Sequence, residues 1–549
     1  MCGRCGTPYY TDLCSIGTLH AAAEVRIGTA IKVLYSVAQC LRKEGHIFDK
    51  PSSQSLLATM KLSQLALLLL PAWACAYTEA DYDTGKVHQM IMDRKHASWD
   101  KHRKWGEYNS KKWKSFLKNH KDKDVVRCNS RGLAVVEPGN PADTFRCKNF
   151  QIDYYDFKSH ADLGSFAGEG SSSWGWVSPN GREFVAIGQA DGTAFAEITR
   201  DGKLVYLGRL PQQSVFSIWR EIRSYKNYMV IGSEARNHGI QFFDMNKLLD
   251  INPRYPKNFS ITADVTGLFT DLPVGRTHNV VINEELGYAV SVGAQPRNST
   301  CRAGLIFIDI DDITKPVSPG CAGQDGYVHD AECLVYRGPD KRYYGRDICY
   351  GYNEDTLTIY DVTDKTGVNS SKIISRTPYV GAAYTHQGAV LNRDWQEYLV
   401  LDDELDEEDR TGPAAEQFPV TYIFDIRNLE KPVNTGFYKS KQKAIDHNQY
   451  VYDGLVYQSN YAAGLRVYDV SGIPADPTGG NVDEVAYFDI YPEDDNTDGL
   501  VDFVGTWSHY AGFPSGYIMI NTIERGVFVV KMNKFGKKGH GKWWNKPRK

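Results

Sequence analysis

Seven apolar heptamers recur along the chain, each with a charged residue in its sixth place. They are GTAFAEI (192–198), GIQFFDM (239–245), GLIFIDI (304–310), TLTIYDV (356–362), VTYIFDI (420–426), GLRVYDV (464–470) and GVFVVKM (526–532). Their alternation is the period-two pattern of a half-buried strand. Copies 44 to 65 residues apart read as an array of small sheets, since one large sheet would not repeat its own third strand. Ahead of each heptamer lie a second apolar run and, before that, a strand opening on Trp174, Trp219, His278, His329, His386, His447 or Trp507. The sequence therefore predicts an all-β, seven-bladed propeller over residues 128–532, with those seven side chains ringing one end of its axial channel.

The seventh blade runs out of chain after GVFVVKM. The segment FQIDYYDF (150–157) just before the first blade is free to supply the missing strand and close the ring. Asp-to-Lys-Pro turns follow two heptamers, Asp309 to Lys315-Pro316 and Asp425 to Lys431-Pro432, and their acids read as structural.

Outside the propeller the chain changes character. Residues 1–59 carry four Cys and little periodicity, and read as a gene-start artefact or disorder. Residues 60–76, MKLSQLALLLLPAWACA, have the basic start, apolar run and small-x-small ending of a secretory signal peptide. Residues 77–127 form a charged, short helical or disordered extension, read as solvated or as a propeptide, in which 101–120 could make a basic amphipathic helix with Trp105, Trp113 and Phe116 near one side. Residues 533–549 are a basic tail.

Six Cys remain beyond the signal peptide, in three near-neighbour pairs: Cys128 with Cys147, Cys301 with Cys321, Cys333 with Cys349. Local pairing is the economical expectation among 15 formal connectivities. Acceptor sequons at Asn258, Asn298 and Asn369 fit the same export route. The expected setting is secreted, extracellular or cell-wall associated, without a membrane span. A net charge of −4 gives no reason to expect nucleic acid.

Chemistry concentrates at the axis. Six His lie between Trp174 and Met532, and four of them open aligned inner strands: His278, His329, His386 and His447. His509 follows Trp507 by two positions and is expected on the same side of its strand. Returning second strands deliver Glu234, Asp403 and Glu404 to that rim, while Glu332 and Asp446 sit beside His329 and His447 and could orient them. Imidazoles with carboxylates on one concave face suit Zn, Fe, Cu or Mn. Two alternatives leave the ring without an ion, a ligand-contacting funnel and plain packing. Trp174, Trp219 and Trp507 could stack on sugars or aromatic ligands. The run LDDELDEED (401–409) lacks the spacing of an EF-hand loop.

The stretch from Cys128 to Met532 resembles the choice-of-anchor B proteins built from LVIVD repeats. The likeness runs through WGWVSPNGREFVAIG, SEARNHGIQFFD, THNVVIN, HDAEC, THQG, LDDELDE, DHNQY, SNYAAGLRVYD and FPSG. It implies a secreted or surface-attached propeller and no general activity. Two functions stay open: a propeller that binds a small molecule, glycan or protein at a His/Trp-lined funnel, acting as a monomer, and a metal-dependent hydrolase or oxidase. Carotenoid-cleavage oxygenases, which hold iron on four axial His, offer a fold-level parallel for the second.

Overall fold

A computed structural model describes residues 77–108, 125–148 and 152–533. The sixth blade shows the repeating unit in compact form. Gln449–Tyr452, Leu455–Ser459, Leu465–Asp469 and Asp483–Phe488 pair in succession as an antiparallel meander. Its first turn is Asp453-Gly454, with φ of 51° and 77°, the left-handed pair that a two-residue hairpin requires. Seven such sheets follow one another, and every heptamer supplies the third strand of its blade. Where the charged sixth residue is Asp, it works in the turn that follows. Asp309 Oδ1 accepts from Asp311 N at 2.9 Å, and Asp425 Oδ1 accepts from Arg427 N at 3.0 Å.

The last blade is completed from the front of the chain. Ile152–Lys158 pairs with Val527–Met532 in register from Met532↔Ile152 to Val527↔Lys158. Val126–Arg127 adds a fifth strand beside it. The chain before the closing strand docks on the sixth blade, where Lys148 N bonds Tyr487 O at 3.1 Å and Cys147 bridges Phe488. All three disulfides join the expected neighbours, Cys128–Cys147, Cys301–Cys321 and Cys333–Cys349. Disulfides of this number belong to an oxidising environment.

The extension is helical, one of the two expected alternatives, but it is not the solvated segment that its charge suggests. Two helices, α1 (Glu79–Asp83) and α2 (Lys86–Lys104), precede the propeller; α2 begins fifteen residues before the stretch expected to be helical and overlaps its first four residues, while 109–120 lie outside the described residues. Gly106, at φ 79°, stops it just past its end. Val87, His88, Ile91, Lys95, Ser98, Trp99 and His102 form its buried face at steps of three and four residues. That face is not solvated; it lies against the propeller. Trp105, by contrast, is 62% exposed. Among the described residues no helix is long and apolar enough to cross a membrane. Residues 1–59, the signal-peptide segment, Trp113, Phe116 and the tail from 534 lie outside the described residues.

Candidate functional site

Four neighbouring blades bring His278, His329, His386 and His447 to one end of the axis. Successive ring centroids are 4.1, 4.4 and 4.3 Å apart, and no ring exceeds 7% exposure. Each imidazole commits Nδ1 to a fixed partner. His278 Nδ1 lies 2.5 Å from Glu234 Oε1, and His386 Nδ1 lies 3.2 Å from Asp402 Oδ1. The Nδ1 of His329 faces the backbone carbonyl of His386 at 2.8 Å, and that of His447 faces the carbonyl of Trp507 at 2.7 Å. A carbonyl can only accept, so Nδ1 carries the proton in these two rings and Nε2 keeps its lone pair. Burial, aided by neighbouring positive charge, holds His329 and His386 well below the ordinary imidazole range and His447 down at about 4. Neutral imidazole with a free Nε2 is the form that ligates a metal.

Glu404 completes the cluster. A ligand nitrogen of His329, one of His386 and a carboxylate oxygen of Glu404 all lie within 4.8 Å of one another. His447 Nε2 is 3.5 Å from Glu404 Oε1, and that oxygen accepts from Tyr461 Oη at 2.5 Å. The structure reaches this arrangement through a bulge between Thr385 and Gly388, which turns His386 inward while Gln387 N bonds Asp402 at 2.8 Å.

The cluster is covered by α2. Lys95 Nζ reaches both oxygens of Glu404, at 2.7 and 2.8 Å. Burial raises the Glu404 carboxyl, but the Lys95 ammonium and the adjacent imidazole outweigh it and hold the group below its usual value. About two turns earlier, His88 Nδ1 meets Tyr384 Oη at 2.7 Å and lies 3.7 Å from Glu354. Trp99 is fully buried against Trp219 and Trp507, at centroid distances of 5.2 and 6.3 Å, and donates Nε1–H to Phe503 O at 2.8 Å.

Several sequence expectations need correction. Trp219 and Trp507 do face this mouth, but Trp99 lies on them, so they form no open stacking surface. Trp174 lies deeper, beside Tyr450 and Tyr510, each at 5.2 Å. Those tyrosines are three residues past His447 and Trp507, about 10 Å further along the channel. The strand opens at Gly170, four residues before Trp174, which accounts for the slip. A second bulge, between Thr506 and Ser508, breaks the alternation that would place His509 at the axis. His509 bonds Ser459 at 2.9 Å and packs on Tyr450 instead. Glu332 bonds Val390 N and Arg393 Nε, both at 2.9 Å, and does not orient His329. Asp403 holds a loop through Tyr379 Oη and the amides of Ala383 and Tyr384. Asp446 is buried beside Asp402 and Asp406 with neither oxygen bonded.

Lys95, His88 and Trp99 escaped the sequence reading, and so did Tyr461. Their one visible signal is the spacing of His88, Lys95, Trp99 and His102 on a single helical face.

The sequons at Asn258, Asn298 and Asn369 are all exposed. No protein-family model matches the chain, and no curated protein does. Among solved structures, Kuenenia stuttgartiensis hydrazine synthase is 11% identical, with 66% of this chain and 95% of that chain covered and a TM-score of 0.42. The computationally designed Ika8 protein is also 11% identical, with 75% and 96% covered and a TM-score of 0.39. Likenesses this remote carry no argument about function, and the propeller rests on its own strand pairing.

Proposed function

We propose that the protein is a secreted, glycosylated propeller of the LVIVD-repeat, choice-of-anchor B type that holds one transition-metal ion at its axis, beneath its own N-terminal helix. His329, His386, His447 and Glu404 are the ligands, with His278 adjoining. One observation carries this reading: neighbouring neutral imidazoles, each fixed through Nδ1, share a buried mouth with a carboxylate. Packing alone does not require four imidazoles to be oriented in this way, and an N/O ligand set suits Zn, Fe, Cu or Mn.

The docked α2 favours binding over turnover. A metal hydrolase or oxidase needs a substrate path to an open coordination position. Here the mouth is filled by Lys95 and Trp99, so an enzymatic form would have to move the helix. Elemental mass spectrometry on protein secreted from its own host tests the site. About one equivalent of a transition metal, lost in a His329→Ala, His386→Ala double variant, is the expected result. Wild-type protein handled without chelator and found metal-free would end the reading.

A further inference from the structure

The loop after the sixth blade holds a second group of carboxylates, far in character from the imidazole ring. Asp489, Asp494 and Asp495 each place an oxygen within 4.8 Å of the others. Asp489 is 1% exposed and Asp494 is 6% exposed. Both oxygens of Asp494 and Oδ2 of Asp489 lack a hydrogen-bond partner. Two guanidinium groups approach without resolving this. Arg146 Nε pairs with Asp495 at 2.9 Å, and Arg466 stands 3.8 Å from Asp489, but neither pairs with Asp494. A buried carboxylate with nothing to neutralise it is costly unless it takes a proton or a cation. Mutual repulsion and burial show in the same place: burial first, then the neighbouring acid, pushes Asp489 up to about 8 and Asp494 to about 6.

The sequence here reads Asp494-Asp495-Asn496-Thr497-Asp498-Gly499, the D-x-N-x-D-G order of calcium loops, but only Asp494 of the clustered acids stands at one of its ligand positions, and exposed Asp498 pairs with Lys443 at 2.7 Å. It is not a full EF-hand, because Gly505 stands where the twelfth-position Glu would be. Asp489, one strand-end earlier, brings a further carboxylate from a different direction. All three groups are oxygen donors, with neither imidazole nor thiolate among them, which selects a hard divalent cation.

We propose that Asp489, Asp494 and Asp495 bind Ca²⁺, with backbone carbonyls and water completing the shell. The ion would lock the ring closure. Asp489 N bonds Arg146 O at 2.9 Å, and Arg146 also donates to the carbonyl of Asp495. The loop is thereby docked on the disulfide-bonded segment that leads into the closing strand. A cation here stabilises the folded chain by mass action, and a site of millimolar affinity is enough outside the cell.

The test uses full-length secreted protein stripped with EGTA. Added millimolar Ca²⁺ is expected to raise the thermal midpoint by about 3 °C or more. Tb³⁺ should luminesce through the neighbouring Tyr491 and be displaced by Ca²⁺. The isosteric Asp494→Asn variant should lose the thermal shift, whereas the His329→Ala, His386→Ala variant should keep it, which separates this site from the axial one. Retention of the shift in Asp494→Asn would overturn the assignment. So would a wild-type protein with neither the shift nor Ca²⁺-displaceable Tb³⁺ emission, a readout that needs no variant to fold.

Discussion

The mouth beneath α2 has two unlike halves. Blades three to six present imidazoles and carboxylates; blades two and seven present Trp219 and Trp507. The helix matches both. His88 and Lys95 meet the first half through Tyr384, Glu354 and Glu404, and Trp99 meets the second with its full surface. The difference teaches which contacts hold the helix and which hold it in competition with something else. An aromatic contact has no rival for its place. An ammonium on Glu404 does, because any cation bound by the imidazoles wants the same carboxylate.

Breaking the aromatic half should have the largest effect. Trp99→Ala removes a fully buried side chain and its bond to Phe503 O. A change of this kind costs about 4 kcal/mol, here drawn from the docking of α2. The check is proteolytic cleavage within 77–108: the variant should be cut rapidly while the propeller stays intact. Cleavage as slow as in wild type would mean that the polar half alone anchors the helix.

The polar half gives a smaller and conditional effect. Lys95→Met leaves Glu404 buried beside Tyr461 and His447, a loss of about 3 kcal/mol in metal-free protein. If Lys95 and a metal compete for Glu404, the same variant should bind added Zn²⁺ at least about tenfold more tightly, a change worth about 1.4 kcal/mol. Titration of both proteins decides it. Weaker binding by Lys95→Met would show that the ammonium supports the site instead of opposing it.

Within that half, Glu234 tests orientation. Its carboxylate holds His278 Nδ1 at 2.5 Å; burial raises it, but the bond to His278 prevails and keeps it down at about 2. Partners of this kind are worth about 10-fold in metal affinity. Glu234→Gln should therefore weaken Zn²⁺ binding by about that factor if His278 reaches the ion. An unchanged affinity would confine the ligands to His329, His386, His447 and Glu404.

How much of this was legible in the sequence follows from the physics of each element. The heptamers declare their strands because alternation and turn acids are local, and the closing strand is legible because the seventh blade lacks one. Disulfides between sequence neighbours are legible for the same reason. The three bulges are not: each depends on how two strands fit, and one of them moves His509 off the ring. The role of α2 is illegible in a further sense. His88, Lys95 and His102 look solvated until the propeller supplies Glu354, Glu404 and Asp502, so a search for an apolar face passes over them.

The far end of α2 offers the gentlest test of the comparison, since it leaves both halves of the mouth untouched. His102 Nδ1 lies 2.6 Å from Glu107, and Nε2 lies 3.2 Å from Asp502. Burial opposes its charge, but the bonds to Asp502 and Glu107 prevail and raise it to about 9. A folded value above the unfolded one, about 6.5, fixes the sign. The contribution is fully present below that pH and fades as pH climbs through about 9. Among the raised acids of the mouth, Asp403 lies at about 6 and Glu354 at about 7, while burial holds Asp402 well above its usual range, so a local readout is needed to isolate His102. Hydrogen exchange over residues 98–106, corrected for its intrinsic pH dependence, should show protection declining across that interval. His102→Gln should flatten the decline while leaving the protection around Lys95 unchanged. A decline that survives the substitution would assign the pH response to the mouth itself and remove His102 as the pin at the helix end.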